Sequence, residues 1–327
     1  MMRQRVLLAA FLVLAWTGLA CAAISQEEAN QLGGANLTAV GAEKAGNKDG
    51  SIPAFTGTPP AGYDTKKSGS RPDPFATDKP VFSIDSKNMA QYADKLSEGT
   101  KALLAKYPNM KMDIYPTHRS AVYPQSVIDG TKKSAVTAKL ENDGKKLTGA
   151  REGFPFPIPK NGLEAMWNVV MRWAGVSEHG HYKSFVINSA GRRVLASEGK
   201  FWEEYPYWDP KSTDREHHVK IMDNVIAPAN RNNEGLIWLL KVDKSNGDPA
   251  WQYLPGQRRV KLAPEIAFDG PNTSVAGAAT YDESYVFTGS PERFEWKILG
   301  KKEMYVPYNS YKFVYNSTAD KAFGEHF

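Results

Sequence analysis

The sequence predicts an α+β fold built on a curved antiparallel sheet that one or two helices cover. Three observations predict it. Short runs that alternate apolar and other residues follow one another from residue 181 to about residue 315, and turns rather than helices join them. Residues 251–262 read as one complete hairpin, with Pro255 and Gly256 at its turn. An apolar helix face over residues 161–171 precedes most of these runs and predicts a cover for one side of the sheet.

Residues 1–22 predict a cleaved secretory signal. A basic start leads into an apolar run over residues 6–16, and small residues precede Ala23. The run is shorter than the about 20 apolar residues that a membrane-spanning helix needs. We therefore expect a periplasmic protein whose mature chain begins at Ala23. Because the residues before Cys21 weakly resemble a lipobox, lipidation of that cysteine and association with the outer membrane stay open as an alternative.

The composition excludes several classes of protein. The chain carries 41 basic and 36 acidic residues, a net charge of +5, without a basic stripe that interleaves aromatic residues, so we expect no nucleic-acid partner. Its single cysteine lies at the expected cleavage site, so the mature chain has no disulfide and no thiolate nucleophile. Seven of the eight tryptophans lie between residues 167 and 296, so the aromatic surface of the protein is concentrated in the predicted helix and sheet.

Two segments are expected after the signal. Residues 23–86 are rich in glycine, proline, lysine and aspartate, which predicts an extended N-terminal arm. Residues 87–327 form the predicted antiparallel-sheet and helix domain. It begins with one helix that Tyr107-Pro108 ends, and residues 113–140 follow as short strands or extended segments. The apolar stripe of this first helix consists of Met89, Tyr92, Leu96, Leu103 and Leu104.

The predicted covering helix begins at a recognisable cap. Asn161 is followed three residues later by Glu164, which resembles a capping box, and Gly175 ends the helix. Its apolar face consists of Leu163, Met166, Trp167, Val170 and Met171. Such a face usually seals the core of a sheet. The alternative is that Met166 and Trp167 border a cavity between helix and sheet, where methionine adapts to irregular ligands.

The sheet itself is predicted from residue 181 onward. The predicted strands are 181–188, 192–205, 236–242, 250–254, 260–262, 281–287, 294–299, 303–306 and 311–315. Alternate residues of a strand share a face. If the aromatic faces of these strands coincide, the concave side of the sheet carries more aromatic surface than the helices cover, which favours a bound apolar molecule. A fully packed core without a cavity is the alternative.

These faces give the candidate ligand-binding residues. They are Met166, Trp167, Val170, Trp238, Leu240, Trp251, Tyr253, Tyr285, Phe287 and Trp296. The ligand that they predict is a hydrophobic small molecule or a lipid.

An enzyme is the rival class, but the sequence gives it little support. The chain has no Gly-x-Ser-x-Gly elbow, His-Glu-x-x-His zinc motif, P-loop or Gly-x-Gly-x-x-Gly loop. His179 and His181 share one side of a predicted strand, without nearby carboxylates at a metal-binding spacing. Glu203 and Glu204 lie among aromatic residues, but neighbours on a strand point to opposite faces and cannot flank one bond. We therefore expect no catalytic residues, no metal and no cofactor.

Several stretches, taken in order, carry a family resemblance. They are Gly41–Gly57, Tyr115–Arg119, Phe156–Trp167, Ala250–Val260, Pro271–Gly277 and Lys301–Tyr308. Together they resemble the bacterial domain-of-unknown-function family numbered 1329, which is often labelled outer-membrane lipoprotein-sorting-protein-like. The resemblance extends from Ile24 to Phe313, nearly the whole mature chain.

The resemblance implies a fold similar to the periplasmic lipoprotein carriers, in which an incomplete antiparallel barrel wraps around helices. It also implies traffic of hydrophobic molecules beside an outer-membrane companion protein and an inner-membrane exporter of the resistance-nodulation-division type. We expect a binding or carrier protein for lipid-like molecules, or alternatively a non-enzymatic structural accessory of such an export complex. Members of the family continue past the stretch matched by Lys301–Tyr308, so the resemblance suggests a C-terminally shortened member that lacks its last strands.

Overall fold

The computed structural model describes residues 23–60, 72–316 and 318–324. The expected signal segment, with Cys21, lies outside these residues. The chain forms two compact units. Of the described residues, 23–26 and Asp129–Glu295 belong to the sheet unit, and those of Glu27–Ile128 and from Trp296 onward belong to the second unit. Within the described residues, every helix is too short or too polar to cross a lipid bilayer.

The described residues form short helices and mostly short strands. The helices are α1 (Gln26–Ala29), α2 (Glu98–Lys106), α3 (Gln125–Thr137), α4 (Gly162–Val170), α5 (Tyr311–Asn316) and α6 (Ala319–Gly324). The strands are β1 (Phe82–Asp85), β2 (Lys111–Ile114), β3 (Lys139–Glu141), β4 (Lys146–Thr148), β5 (Ser177–Ile187), β6 (Arg193–Glu204), β7 (His217–Ala227), β8 (Gly235–Lys241), β9 (Ala250–Leu254) and β10 (Arg259–Leu262).

The sheet unit is built on a six-stranded antiparallel sheet. Its strand order, β10-β9-β8-β7-β6-β5, follows the sequence without a crossover, and the sheet is not closed into a barrel. Irregular register between Ser184 and Phe185, and again between Glu198 and Gly199, increases the local twist. The α+β class with an open antiparallel sheet, predicted from the alternating runs, is confirmed.

Two local predictions in this unit are also confirmed. The hairpin of β9 and β10 turns through Pro255–Gln257 and pairs Tyr253 with Val260. Helix α4 begins at Asn161, whose side-chain oxygen accepts a hydrogen bond from the Glu164 backbone N–H at 2.9 Å. The Glu164 carboxylate in turn accepts from the Lys160 backbone N–H at 2.6 Å. The first bond satisfies an N–H group that the first helical turn leaves free, and the second satisfies the N–H of the residue before the cap.

Strand β7 was not predicted from the sequence. Val219, Ile221 and Val225 of this strand are buried at alternating positions, as in any half-buried strand. Asp223 interrupts the apolar series at the next inward position, where the Tyr182 hydroxyl donates to it. A polar residue on the core side hid the strand from a search for alternating hydrophobicity.

The strands predicted after residue 262 are wrong. Residues 281–287 and 294–306 form turns and irregular segments, with the short 3₁₀ turn of Pro291–Arg293 between them. Residues 311–315 belong to α5. Alternation identifies side chains that would share a face, but a strand also needs a neighbour to satisfy its backbone. None of these segments pairs with a described strand.

The prediction of extended structure over residues 113–140 is also wrong for its second half, which forms α3. The buried stripe of α3 contains Val127, Thr131, Ser134 and Ala135 at helical spacing. Because two of these four are polar, the stripe did not appear as a hydrophobic face in the sequence. Small residues are required there, since a Cβ at Gly130 would lie 2.5 Å from the Glu152 backbone.

The second unit has its own small core. Ile84, Leu96 and Leu104 are buried together, and the partly buried Tyr92 and Tyr305 pack against them. The single helix predicted here is two, a 3₁₀ helix over Met89–Lys95 followed by α2. Ser97 separates them, because its hydroxyl accepts from the Thr100 backbone N–H and caps α2.

Candidate functional site

The residues predicted to bind a ligand occupy different environments. Trp167, Val170, Trp238, Leu240 and Phe287 are buried in the core of the sheet unit. Met166, Tyr285 and Trp251 are partly buried in the same unit, Tyr253 is exposed there, and Trp296 is partly buried in the second unit. The structure therefore brings only part of the predicted set together.

Trp238 and Trp251 lie on opposite faces of the sheet. The register of β8 and β9 pairs Trp238 with Ala250, and Ile237 with Trp251. Residues that are opposite one another in an antiparallel pair share a face, whereas neighbours along a strand do not. Trp238 is 6% exposed and Ile237 is 45% exposed. The expectation that the two tryptophans share one buried face is wrong, because the small Ala250 fills the position opposite Trp238.

The outward face of the sheet carries a continuous row of apolar side chains. The ladders from β6 to β10 place Trp202, Met222, Ile237, Trp251 and Leu262 side by side. Tyr253 and Val260 lie next to this row on β9 and β10. Trp251 is partly buried, and each of the other six is at least 37% exposed. We call these seven residues the exposed apolar face.

Polar rows border the exposed apolar face on β6 and β7. Lys200 pairs with Asn224 on one side, and Glu204 pairs with Lys220 on the other. The apolar surface on these two strands is therefore one side chain wide. Single exposed apolar residues are ordinary on protein surfaces, whereas a contiguous exposed patch marks an interaction or ligand-binding surface.

Sequence reasoning found only two members of the exposed apolar face, Trp251 and Tyr253. A signal for it is present at Leu236-Ile237-Trp238, where three apolar residues follow one another. A strand with one buried face alternates, so an unbroken apolar run indicates that both faces are apolar. Only the alternate residues Leu236 and Trp238 of that run were assigned to a face, and Ile237 was not.

The inward face carries a buried polar cluster at β5 and β6. The Tyr205 hydroxyl donates to Glu178 Oε1 at 2.6 Å and also contacts Glu203, and the Tyr285 hydroxyl donates to the other Glu203 oxygen. Burial raises the pKa of Glu203 above its ordinary value, and burial likewise raises the pKa of Tyr205 and of Tyr285. Glu203 is buried and its neighbour Glu204 is exposed, so the two lie on opposite faces as predicted.

A second buried polar group lies near the β7–β8 end of the sheet. The Lys244 ammonium and Asp248 carboxylate form an ion pair at 2.6 Å, and Lys244 Nζ lies 3.5 Å from His218 Nε2. Burial lowers the pKa of His218 well below its ordinary value, so the imidazole is neutral at pH 7. The charges of Lys244 and Asp248 neutralise each other, and the ion pair links the two ends of the turn between β8 and β9.

The pocket beside Trp238 is small. Lys244, Asp248, Thr288 and Ser290 contribute to its walls, and its cavity is about 20 Å³. A site for one water molecule needs roughly 10–15 Å³, so this cavity has room for a water molecule and not for an acyl chain. The described residues contain no group of three His, Cys, Asp or Glu side chains arranged to hold a metal ion. His181, one of the two histidines considered as ligands, pairs with Glu198 at 2.9 Å.

One known protein is similar to this chain in sequence, and one solved structure was compared with it in fold. An uncharacterized protein of Pseudomonas aeruginosa is 38% identical over 301 residues, which are 89% of this chain and 65% of the relative. The chain thus spans less than two thirds of that relative's length. A solved domain from Vibrio parahaemolyticus, named as an outer membrane lipoprotein-sorting protein domain, is 16% identical with a TM-score of 0.29 and covers 38% of this chain and 47% of its own. At that score the likeness carries no weight for fold or function.

The family assignment depends on the sequence match instead. The model of the family described as proteins of unknown function, DUF1329, matches residues 83–326. This match spans most of the chain and includes the whole six-stranded sheet. The chain therefore belongs to the DUF1329 family of proteins of unknown function.

Proposed function

We propose that this protein is a non-enzymatic binding or carrier protein for hydrophobic, lipid-like molecules in the bacterial envelope. The exposed apolar face is the observation that carries the proposal. It is contiguous, it crosses β6 to β10, and six of its seven residues are exposed. Such a surface is unfavourable in water unless it binds something apolar.

The shape of this face favours a linear molecule. The row from Trp202 to Leu262 crosses four interstrand spacings of about 4.8 Å, which is about 19 Å in all. On β6 and β7 it is one side chain wide, between the polar rows. A stable protein interface buries about 800 Å² on each partner, which needs a broader patch than this. A lipid chain lying along the row would be covered by apolar side chains, and its polar end would meet residues such as Lys200.

The envelope location is supported by the expected signal in residues 1–22. If export occurs, the protein isolated from the periplasm should begin at Ala23. Palmitate labelling of Cys21 that depends on the lipoprotein signal peptidase would instead make the protein an outer-membrane lipoprotein. Unprocessed protein in the cytoplasm would contradict both routes.

A second candidate function uses the same face for a protein partner. On β9 and β10 the apolar surface is two side chains wide, and Val260 and Leu262 are its most exposed members. β10 pairs with β9 and with no other described strand, so a partner could also pair with its open edge. The partners that fit this function are an outer-membrane companion protein and an inner-membrane exporter.

Binding of fatty-acid chains of increasing length tests the carrier proposal. A fluorescent fatty-acid analogue should bind saturably to the purified protein, and longer competitors should displace it better, by roughly 0.8 kcal/mol for each buried methylene. Lipid extracted from the purified protein and identified by mass spectrometry would name the natural ligand. Absence of saturable binding, of a chain-length trend and of co-purified lipid would favour the partner function instead.

A further inference from the structure

Arg172 carries a buried positive charge that lacks an acceptor. It follows the end of α4, where its backbone carbonyl accepts a hydrogen bond from the Trp208 indole at 3.0 Å. Both terminal nitrogens of its guanidinium, Nη1 and Nη2, are buried and have no hydrogen-bond partner among the described residues. A guanidinium has five N–H donors and cannot lose its charge, so burial without an acceptor is strongly unfavourable. The site lacks a negatively charged or carbonyl oxygen.

The aromatic ring of Tyr285 covers this guanidinium. The centre of the ring lies 3.7 Å from Arg172 Cζ, and the Tyr285 hydroxyl donates to Glu203. The loop that holds the ring is strained, because Tyr285 and Val286 both have positive φ, +58° and +78°. This conformation is particularly unfavourable for a β-branched valine, and Val286 is 82% exposed. The strain is confined to these two residues, because the following Phe287 and Thr288 are buried and the Thr288 N–H donates to the Asp282 carbonyl at 3.0 Å.

Carboxylates near Arg172 do not neutralise it. Glu203 and Glu178 accept hydrogen bonds from tyrosine hydroxyls, and neither forms an ion pair with the guanidinium. Burial raises the pKa of Glu203, although the charge of Arg172 opposes that rise. His218, the other titratable group close to Arg172, is kept neutral by burial. Among the described residues, neither terminal nitrogen of Arg172 has an acceptor, so both could donate to a further anion.

We propose that Arg172 binds an oxyanion, a carboxylate or a phosphate, which enters when the ring of Tyr285 moves aside. The planar guanidinium suits such groups because it can donate two parallel hydrogen bonds to two oxygens. Trp173 follows Arg172 in the chain, and the Trp208 indole donates to the Arg172 carbonyl. The two rings pack edge to face at 5.2 Å and provide an apolar wall. The anion is therefore either the head group of an amphiphile or a free small anion. This site lies with Glu203 on the inward face and is separate from the exposed apolar face.

Calorimetric titration of the purified protein with decanoate, acetate and inorganic phosphate tests the proposal. Arg172→Gln should bind roughly 10- to 100-fold more weakly than wild type, as expected when a charge-assisted hydrogen bond is lost. Arg192→Gln, in the exposed turn between β5 and β6, is the matched control and should bind like wild type. Tyr285→Phe should bind several-fold more tightly, because it removes the hydroxyl contact that holds the cover closed. A rise in the melting temperature of wild type with ligand gives a second measurement should Arg172→Gln fold poorly.

The source of the anion follows from the order of the three affinities. Decanoate binding that is tighter than that of acetate and phosphate, and that weakens in Arg172→Gln, would identify an amphiphile head group. Similar affinities of the three, all weakened in Arg172→Gln, would identify a free anion, and both results support the site. Binding that is unchanged in folded Arg172→Gln, or no saturable binding of any of the three to wild type, would overturn it. Ile237→Gln on the exposed apolar face should leave the Arg172-dependent binding intact, so failure of this site and failure of the carrier proposal are distinguishable.

Discussion

Ile237 lies directly opposite Trp251 in the β8–β9 ladder, on the face of the sheet that turns away from Trp238. This relationship separates two tryptophans that the alternating pattern had placed together. One of them belongs to the core and the other to the exposed apolar face. Their substitutions should therefore differ in effect.

Trp238→Ala should lower the free energy of unfolding by about 3–5 kcal/mol, the usual loss for a large core residue. Trp251→Ala should lower it by clearly less, because Trp251 is only partly buried and lies on the exposed apolar face. Urea denaturation of the two variants measures the difference. Equal losses would show that the observed register is not the one the protein adopts in solution.

Two helical glycines should respond in opposite directions to the same substitution. Gly99→Ala in α2 should raise the free energy of unfolding by up to about 1 kcal/mol, because alanine is the better helix former and the new Cβ meets nothing closer than 3.9 Å. Gly130→Ala in α3 should lower it by about 1–3 kcal/mol, because its Cβ would lie 2.5 Å from the Glu152 backbone. Thermal unfolding of both variants tests the pair. An increase in stability for Gly130→Ala would contradict the close approach.

Asp223 should make stability depend on pH. The Tyr182 hydroxyl donates to its carboxylate at 2.9 Å, and burial raises the pKa of Asp223 to about 6. Between the ordinary aspartate value of about 3.9 and pH 6, the folded protein therefore binds this proton more tightly than the unfolded chain does. The contribution of this group to stability is largest in acid and is lost as the pH rises towards 6.

Comparison of wild type with Asp223→Asn isolates this contribution. The free energy of unfolding of wild type, minus that of the variant, should fall by roughly 2–3 kcal/mol between about pH 4 and pH 7. Asp143→Asn, at an exposed turn position, is the control and should show no such trend. A difference that is constant or rises with pH would mean that Asp223 is not held in a desolvated site.

The parts of the fold that were predictable are those with local signals. The cap at Asn161 and Glu164 marks α4, and the turn at Pro255 and Gly256 marks the last hairpin, because each depends on residues a few positions apart. α3 and β7 were missed since polar residues, Thr131 in one and Asp223 in the other, occupy inward positions that only their tertiary partners make favourable. Those partners are distant in sequence.

The candidate site was only partly predictable for a related reason. Alternation along β8 places Trp238 and Ile237 on opposite faces, but it does not determine which residue of β9 pairs with each of them. The turn between the two strands sets that register, and a shift of one residue reverses every side chain. Arg172 gave no signal at all, because a single arginine after a helix is ordinary until its surroundings are known.

The most direct test of the carrier account is the affinity of a fluorescent fatty-acid analogue for three variants of the purified protein. Ile237→Gln, in the centre of the exposed apolar face, should weaken binding by roughly 10- to 100-fold, the equivalent of about 1.5–3 kcal/mol for one apolar side chain. Ile187→Gln makes the same change at an exposed position on β5 outside that face, and Met166→Gln changes a residue of α4. The affinity of both variants for the analogue should stay within about twofold of wild type. Unchanged affinity in Ile237→Gln would contradict the account, and a loss confined to Met166→Gln would place the ligand between α4 and the sheet instead.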